Sequence, residues 1–263
     1  MTERRTPPSG KAIEELKEEV ALGNRLLHHY GLTTYLGHVS ARIPGTDRII
    51  LKARPHISMD GVKAENLMII DLEGNVIEVG KEFTTRVSEW SLHTEIYKAR
   101  PEVGSVIHTH QKWCTIFGIA GKPVLPVIHA PDAALAAEPW PVYDESYAIV
   151  TEVQQAKLVA QTLGHHVACH LRTHGMIFVG RSVEKAVMAA ANAEYQAEVT
   201  WHAMLVGTPD TVPMIDMRDA IDQRYVGEAG AWDRREGAVR RDWADQAWVD
   251  QNPEVVRERG IQF

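Results

Sequence analysis

Apolar positions along this chain change their period several times, and each change marks an element. Between Lys11 and Tyr30 they recur at helical spacing, with Ile13, Leu16, Val20, Leu27 and Tyr30 on one face and Gly31 as a stop. Short strand-like runs follow at His38 to Ile43, Arg48 to Lys52, Leu67 to Asp71 and Asn75 to Glu78, and Glu73-Gly74-Asn75 reads as the turn between the last two. Helical spacing returns from Val87 to Arg100 and is stopped by Pro101. The apolar run Gly104 to Ile107 then leads into His108-Thr109-His110. Thr151-Glu152-Val153-Gln154 has the form of a capping box and predicts a helix ending near Gly164. Val167 to Leu171 and Met176 to Val179 read as strands on either side of His174. Ser182 caps a long helix to about Val206, and its alanine-rich, wide apolar face predicts burial on more than one side.

Several neighbouring strands have links too short for a parallel crossover. The pattern therefore predicts an α/β fold with a mixed, largely antiparallel sheet covered by helices. A chain of 263 residues suits one large domain or somewhat more. We divide it into a loose arm at 1–10, a main domain at 11–207 and a C-terminal extension at 208–263. The extension carries Trp232, Trp243 and Trp248 among many charges, and is expected to cover the site or a neighbouring subunit.

Charge and composition exclude some classes. The net charge is −7 and no like-charged block resembles a nucleic-acid tail. Cys114 and Cys169 stand far apart, which fits a reducing cytosol better than a disulfide scaffold. The first ten residues lack the apolar stretch of a signal peptide, and no run is long enough to span a bilayer. A cytoplasmic protein with no membrane or nucleic-acid partner is the expectation.

Candidate chemistry centres on His108-Thr109-His110. Residues two apart on a strand face the same way, so both imidazoles can reach one ion. A third imidazole would leave a coordination position open, as a catalytic metal site requires. His174, in Arg172-Thr173-His174-Gly175, is placed to supply it. Glu89 and His93 are four apart on the expected helix and share a face. His93 is read as a packing residue and His165-His166 as surface.

In order along the chain, Gly37-His38-Val39-Ser40-Ala41-Arg42, Asp71-Leu72-Glu73-Gly74-Asn75, Ser88-Glu89 through Tyr97, Arg100-Pro101-Glu102-Val103 with His108-Thr109-His110, and His174-Gly175 together resemble the class II aldolase/adducin family over about residues 12 to 207. The resemblance implies a three-layer α/β/α sandwich. It implies one divalent ion per subunit (zinc, manganese, iron or cobalt) on His108, His110 and His174, with Glu89 as acid/base. It also implies a homo-oligomer, a tetramer, with active sites between subunits, which brings Arg224 and Tyr225 of the extension into consideration.

Departures from the sugar-phosphate aldolase pattern bear on the substrate. The usual G-N is here Gly37-His38, the T-P-x-G loop is replaced by Lys52-Ala53-Arg54-Pro55-His56, and the serine pair before the glutamate is Val87-Ser88. Longer basic groups replace the phosphate cradle, and Arg86 is close in sequence. Arginine takes carboxylate in a planar fork. We therefore expect a carboxylated substrate bound by Lys52, Arg54, His56, Arg86, Ser88 and His129, with His38 joining Glu89 in catalysis. The G-H-V-S variant resembles the family's decarboxylase branch, which acts on dihydroxy-aromatic acids. Aldol cleavage of a hydroxylated acid or sugar-like substrate is the alternative. A non-catalytic, adducin-like binding protein should lack the histidine triad that this chain keeps. No H-E-x-x-H motif or nucleophile elbow points to an unrelated hydrolase.

Overall fold

The computed structural model describes residues 9–128, 135–136 and 138–211. His129, Arg224, Tyr225 and nearly all of the extension lie outside the described residues.

Among the described residues, nine strands form one mixed sheet: β1 His38–Arg42, β2 Arg48–Arg54, β3 Leu67–Asp71, β4 Val76–Glu78, β5 Thr85–Arg86, β6 Ser105–Thr109, β7 Val142–Tyr143, β8 Ala168–Leu171 and β9 Gly175–Gly180. The strand order is β4-β3-β2-β1-β6-β9-β8-β7, with β5 paired to β2 off this path. Every pairing is antiparallel except β7 with β8. Among the same residues five α-helices accompany the sheet: α1 Gly10–His29, α2 Trp90–Ala99, α3 Lys112–Ala120, α4 Val153–Leu163 and α5 Val183–Val206. α2 and α4 pack together on one face, while α1, α3 and α5 cover the other. This is the expected three-layer sandwich.

Alternation along the strands explains the layers. Leu51, Ile70, Val106 and Ile177 meet Leu92 and Ile96 of α2 and Val159 of α4 in one fully buried core. Val39, next to His38, faces the other way and approaches α1 and α5 at Gly23, where an added Cβ would meet Val183 at 2.7 Å and Val39 at 3.4 Å. α5 is buried against α1, α3 and the sheet through alanines such as Ala186, Ala190 and Ala193. No helix among the described residues is long and apolar enough to cross a membrane.

Helix ends follow local chemistry. The Ser9 hydroxyl accepts from the Ala12 amide at 3.3 Å, so α1 starts at Gly10, inside the expected arm. Ser182 caps α5 by accepting from Lys185 N–H at 3.2 Å. The capping box of α4 is shifted by one residue from the expected pair: Glu152 and Gln155 form it, not Thr151 and Gln154. α2 begins three residues later than its apolar spacing suggests, at Trp90, which leaves Glu89 as its N-cap. α3 is absent from the sequence-based assignment. Its residues are apolar on nearly every side, so no period distinguishes helix from buried strand. Its end is marked by Gly121 in the left-handed region, at φ 60°.

A three-residue loop, Arg172 to His174, joins β8 to β9, and Leu171 pairs with Gly175 directly across it. Gly175 brings β9 hard against β6: a Cβ there would lie 2.2 Å from the Thr109 carbonyl oxygen and 3.0 Å from the His110 ring. We predict that Gly175→Ala forces the strands apart and costs about 1–3 kcal/mol or more of stability, as overpacking does. Gly10→Ala, whose methyl meets nothing within 4 Å, serves as the control in urea unfolding. Equal midpoints for the two variants would contradict this packing.

Candidate active site

The register of three strands assembles the site. β6 lies between β1 and β9. His38 of β1 is paired directly with His108 of β6, so both rings emerge on the α2 face, 5.2 Å apart by centroid. His110 follows the end of β6 and returns to that face, with its centroid 4.7 Å from His108. His174 comes over from the β8–β9 loop, 4.8 Å from His108 and 5.1 Å from His110. Glu89, at the N-cap of α2, extends its carboxylate among them. Its Oε2 lies 3.5 Å from His108 Nε2 and 3.8 Å from His38 Nε2, and its Oε1 lies 3.6 Å from His174 Nε2. The positive end of the helix favours a carboxylate there.

Tautomers can be read from the hydrogen bonds. His108 Nδ1–H donates to the Met176 carbonyl at 3.0 Å, which leaves Nε2 bare in the neutral ring. His110 Nε2 sits 2.8 Å from that bare nitrogen. Two imidazole nitrogens at this distance need a proton or a cation held between them. Burial drives the imidazoles toward neutrality. It pushes His108 well below its ordinary value and His110 down to about 4, with His174 adding to the second shift. Burial also raises the Glu89 carboxyl, but His108, His38 and His174 together outweigh it and hold Glu89 below the usual carboxylate range.

A divalent ion suits this donor set. One atom from each of Glu89, His108, His110 and His174 can be chosen so that all four lie within 4.8 Å of one another. Glu89 Oε1 and His174 Nδ1 are buried with no hydrogen-bond partner, so the group is not satisfied by the protein alone. Three neutral imidazoles beside one carboxylate match the borderline ligands that zinc, iron or cobalt accept. Glu89 stands close enough to act either as a fourth ligand or as a base.

The expected substrate-binding residues separate into groups. Lys52 is buried, and its ammonium donates to the Tyr35 carbonyl at 2.8 Å, with the Gly37 carbonyl at 3.5 Å and Met59 Sδ at 3.0 Å. Two of these contacts tie it to the segment that carries Gly37-His38 and the third to Met59 beyond β2, and burial lowers its pKa to about 8. The Arg86 guanidinium lies 4.4 Å over the Trp90 ring and donates to the Gly74 carbonyl, which commits it to the β3–β4 turn. Arg54 and His56 are exposed at the end of β2, and the charges of Lys52, Arg54 and His38 all act on His56. Ser88 is exposed beside Glu89.

His93 does more than pack. It is fully buried, and both its ring nitrogens are engaged, Nε2 with His38 Nδ1 and Nδ1 with the Ser40 hydroxyl, each at 2.7 Å. Ser40 and Tyr97 extend this chain at 2.9 Å. The spacing signal was available: Ser40 is two residues beyond His38 on one strand face, and Tyr97 is four beyond His93 on one helix face. The His165 side chain is 78% exposed, as a surface residue should be, whereas that of His166 is only 23% exposed, and both rings lie near the Glu138 carboxylate, at 3.2 and 3.6 Å.

Comparison with known proteins agrees with this geometry. Residues 18–201 match the family described as "Class II Aldolase and Adducin N-terminal domain". The chain is 30% identical over 199 residues to a 3,4-dihydroxyphthalate decarboxylase of Arthrobacter keyseri, covering 73% of this chain and 79% of that protein. It is 29% identical over 136 residues to a 5-methylthioribulose-1-phosphate/5-deoxyribulose-1-phosphate aldolase of Rhodospirillum rubrum, covering 52% and 60% of the two chains. An aldolase II superfamily protein from Pseudomonas syringae superimposes with a TM-score of 0.75 at 20% identity, over 92% of this chain and 96% of its own. An L-fuculose 1-phosphate aldolase from Glaciozyma antarctica PI12 gives 0.73 at 22% identity, over 95% and 96%. With the family pattern running across most of the sandwich, this chain is a member of the class II aldolase and adducin family.

Proposed function

We propose that the chain is a divalent-metal-dependent carbon–carbon lyase that decarboxylates a dihydroxylated aromatic carboxylate. One observation carries the reading: His108, His110 and His174 converge on Glu89 at the open end of β6, with the His108 tautomer already set for a bare Nε2. The three histidines would hold the ion, which when bound supplies a Lewis acid for charge developing on two vicinal oxygens.

This chain's own residues supply the rest. Glu89 is the acid/base: as a carboxylate it takes the proton of a substrate phenolic hydroxyl and passes it to the ring carbon when carbon dioxide leaves, and the phenolate regains a proton from solvent on release. The place of Glu89 at the N-terminus of α2 keeps the carboxylate available near neutral pH. His38 faces the same space from β1 and offers a second polar contact. Arg54 brings positive charge to the exposed end of β2, where a substrate carboxylate can pair with it, and His56 beside it, its pKa lowered by burial and by the neighbouring cations, offers a neutral imidazole. The phosphate-gripping asparagine, glycine loop and serine pair of the aldolases are replaced here, and the likeness to the Arthrobacter 3,4-dihydroxyphthalate decarboxylase supports the same reading. The aldolase relative and the fuculose-phosphate aldolase neighbours support aldol cleavage as the second reading. Self-association belongs to the proposal, and exposed Leu205 and Val206 at the end of α5 offer apolar surface for it.

The metal-loaded protein should release carbon dioxide from one or more dihydroxybenzoates or dihydroxyphthalates and act weakly on ketose phosphates. Cleavage of a ketose phosphate, with no carbon dioxide from any aromatic acid, would transfer the assignment to aldol chemistry. Glu89→Gln should keep the fold and bound metal while turnover falls about 10²–10⁴-fold. A variant of near-full activity would move the acid/base role elsewhere. Arg54→Ala is expected to raise KM with metal content unchanged, and an unaltered KM would remove Arg54 from the binding site.

A further inference from the structure

We propose that Tyr97, Ser40 and His93 form a buried tautomer lock that fixes His38 as an N–H donor aimed at Glu89, making His93 and Ser40 positioning residues. The inference rests on the active-site reading given above. The lock itself is a property of the folded chain.

Its basis is an accounting of hydrogens. Four groups in series, Tyr97, Ser40, His93 and neutral His38, carry one mobile hydrogen each. Their contacts are Tyr97 hydroxyl to Ser40 Oγ at 2.9 Å, Ser40 Oγ to His93 Nδ1 at 2.7 Å, His93 Nε2 to His38 Nδ1 at 2.7 Å, and His38 Nε2 to Glu89 Oε2 at 3.8 Å. All are shut away from water. The hydrogens can run along this series in one of two directions.

Running toward Glu89, Tyr97 donates to Ser40, Ser40 to His93 Nδ1, and His93 Nε2–H to His38 Nδ1. His38 Nε2–H then points at the carboxylate. Each of the three short contacts receives one hydrogen, and the series ends on a group that only accepts. The Tyr97 oxygen stays free to accept the Val106 amide at 3.1 Å. In the opposite direction, His93 Nδ1–H would donate to Ser40 Oγ, Ser40 would turn its own hydrogen to the Val106 carbonyl at 3.3 Å, and Tyr97 could keep its 2.9 Å bond to Ser40. His38 would also turn a bare Nε2 toward the Glu89 carboxylate, lone pair against negative charge. The Tyr97 end is satisfied either way, and the Glu89 end decides for the first direction, since only it turns an N–H toward the carboxylate.

The consequence separates two neighbouring imidazoles. His38 and His108 are register partners on the same sheet face. His108 is held with Nδ1 protonated, through the Met176 carbonyl, and presents a bare Nε2. His38 is held the other way and presents Nε2–H. One is therefore a ligand and the other a donor, although four histidines crowd the site. The lock gives His38 a fixed hydrogen for Glu89 or for a substrate oxygen.

The direct test is the tautomer of His38, read from long-range proton–nitrogen correlations of metal-free protein labelled with ¹⁵N-histidine, with His38→Gln to assign the signals. Expected are a protonated-type Nε2 and a bare-type Nδ1. The reverse pattern would overturn the lock whatever the activity. Ser40→Ala, a small change, should mix the His38 tautomers and lower kcat about 10- to 100-fold with KM within about twofold, as lost orientation does. Ser40→Thr keeps the hydroxyl and should recover most of both. Unchanged tautomer and kcat in Ser40→Ala would also refute the lock. A correct tautomer in a protein that releases no carbon dioxide would instead count against the decarboxylase reading alone.

Discussion

Pairing of β6 with β1 on one side and β9 on the other is the constraint on which the site depends. A one-residue slip in either ladder would turn His38 or His108 to the opposite face. The register holds because that opposite face is already full. Val39, Ile107 and Phe178 are packed there without exposed surface. The same registers fix the bond from His108 Nδ1 to Met176 and allow Gly175 to pass Thr109. Hydrophobic packing thus sets the directions of groups that are not hydrophobic.

Burying so many polar groups carries a cost. An unsatisfied buried donor or acceptor loses about 1–3 kcal/mol. Most members of this cluster avoid that loss through assigned partners: Met176 for His108, Ser40 and His38 for His93, and Tyr35 for Lys52. Glu89 Oε1 and His174 Nδ1 do not. Glu89 Oε1 thus lacks a protein partner where a cation would be met, and Ser91 Oγ on α2 is also buried without one.

Much of this was legible in the sequence. The period-two spacing of His108 and His110, the His174-Gly175 pair and the caps at Ser182 and Gly31 all rest on local rules, and the corresponding elements form. What remained hidden depends on tertiary direction. The position of Glu89 ahead of α2 turns on where one helix begins, which apolar spacing locates only loosely. A sequence shows the charges of Lys52 and Arg86 but not where their donors go. Burial sends Lys52 to backbone carbonyls, and the Trp90 ring holds Arg86 at a turn. His93 passed as packing since its two partners come from a strand more than fifty residues earlier. α3 has no periodicity to read.

The central claim is that His108, His110 and His174 hold one divalent ion. X-ray absorption on protein loaded with a single equivalent of zinc or cobalt tests it most directly. Three imidazole nitrogens at about 2.0–2.1 Å are predicted, with His110→Ala losing one of them and binding the ion more weakly. A first shell of oxygen alone, or one unchanged by His110→Ala, would contradict it.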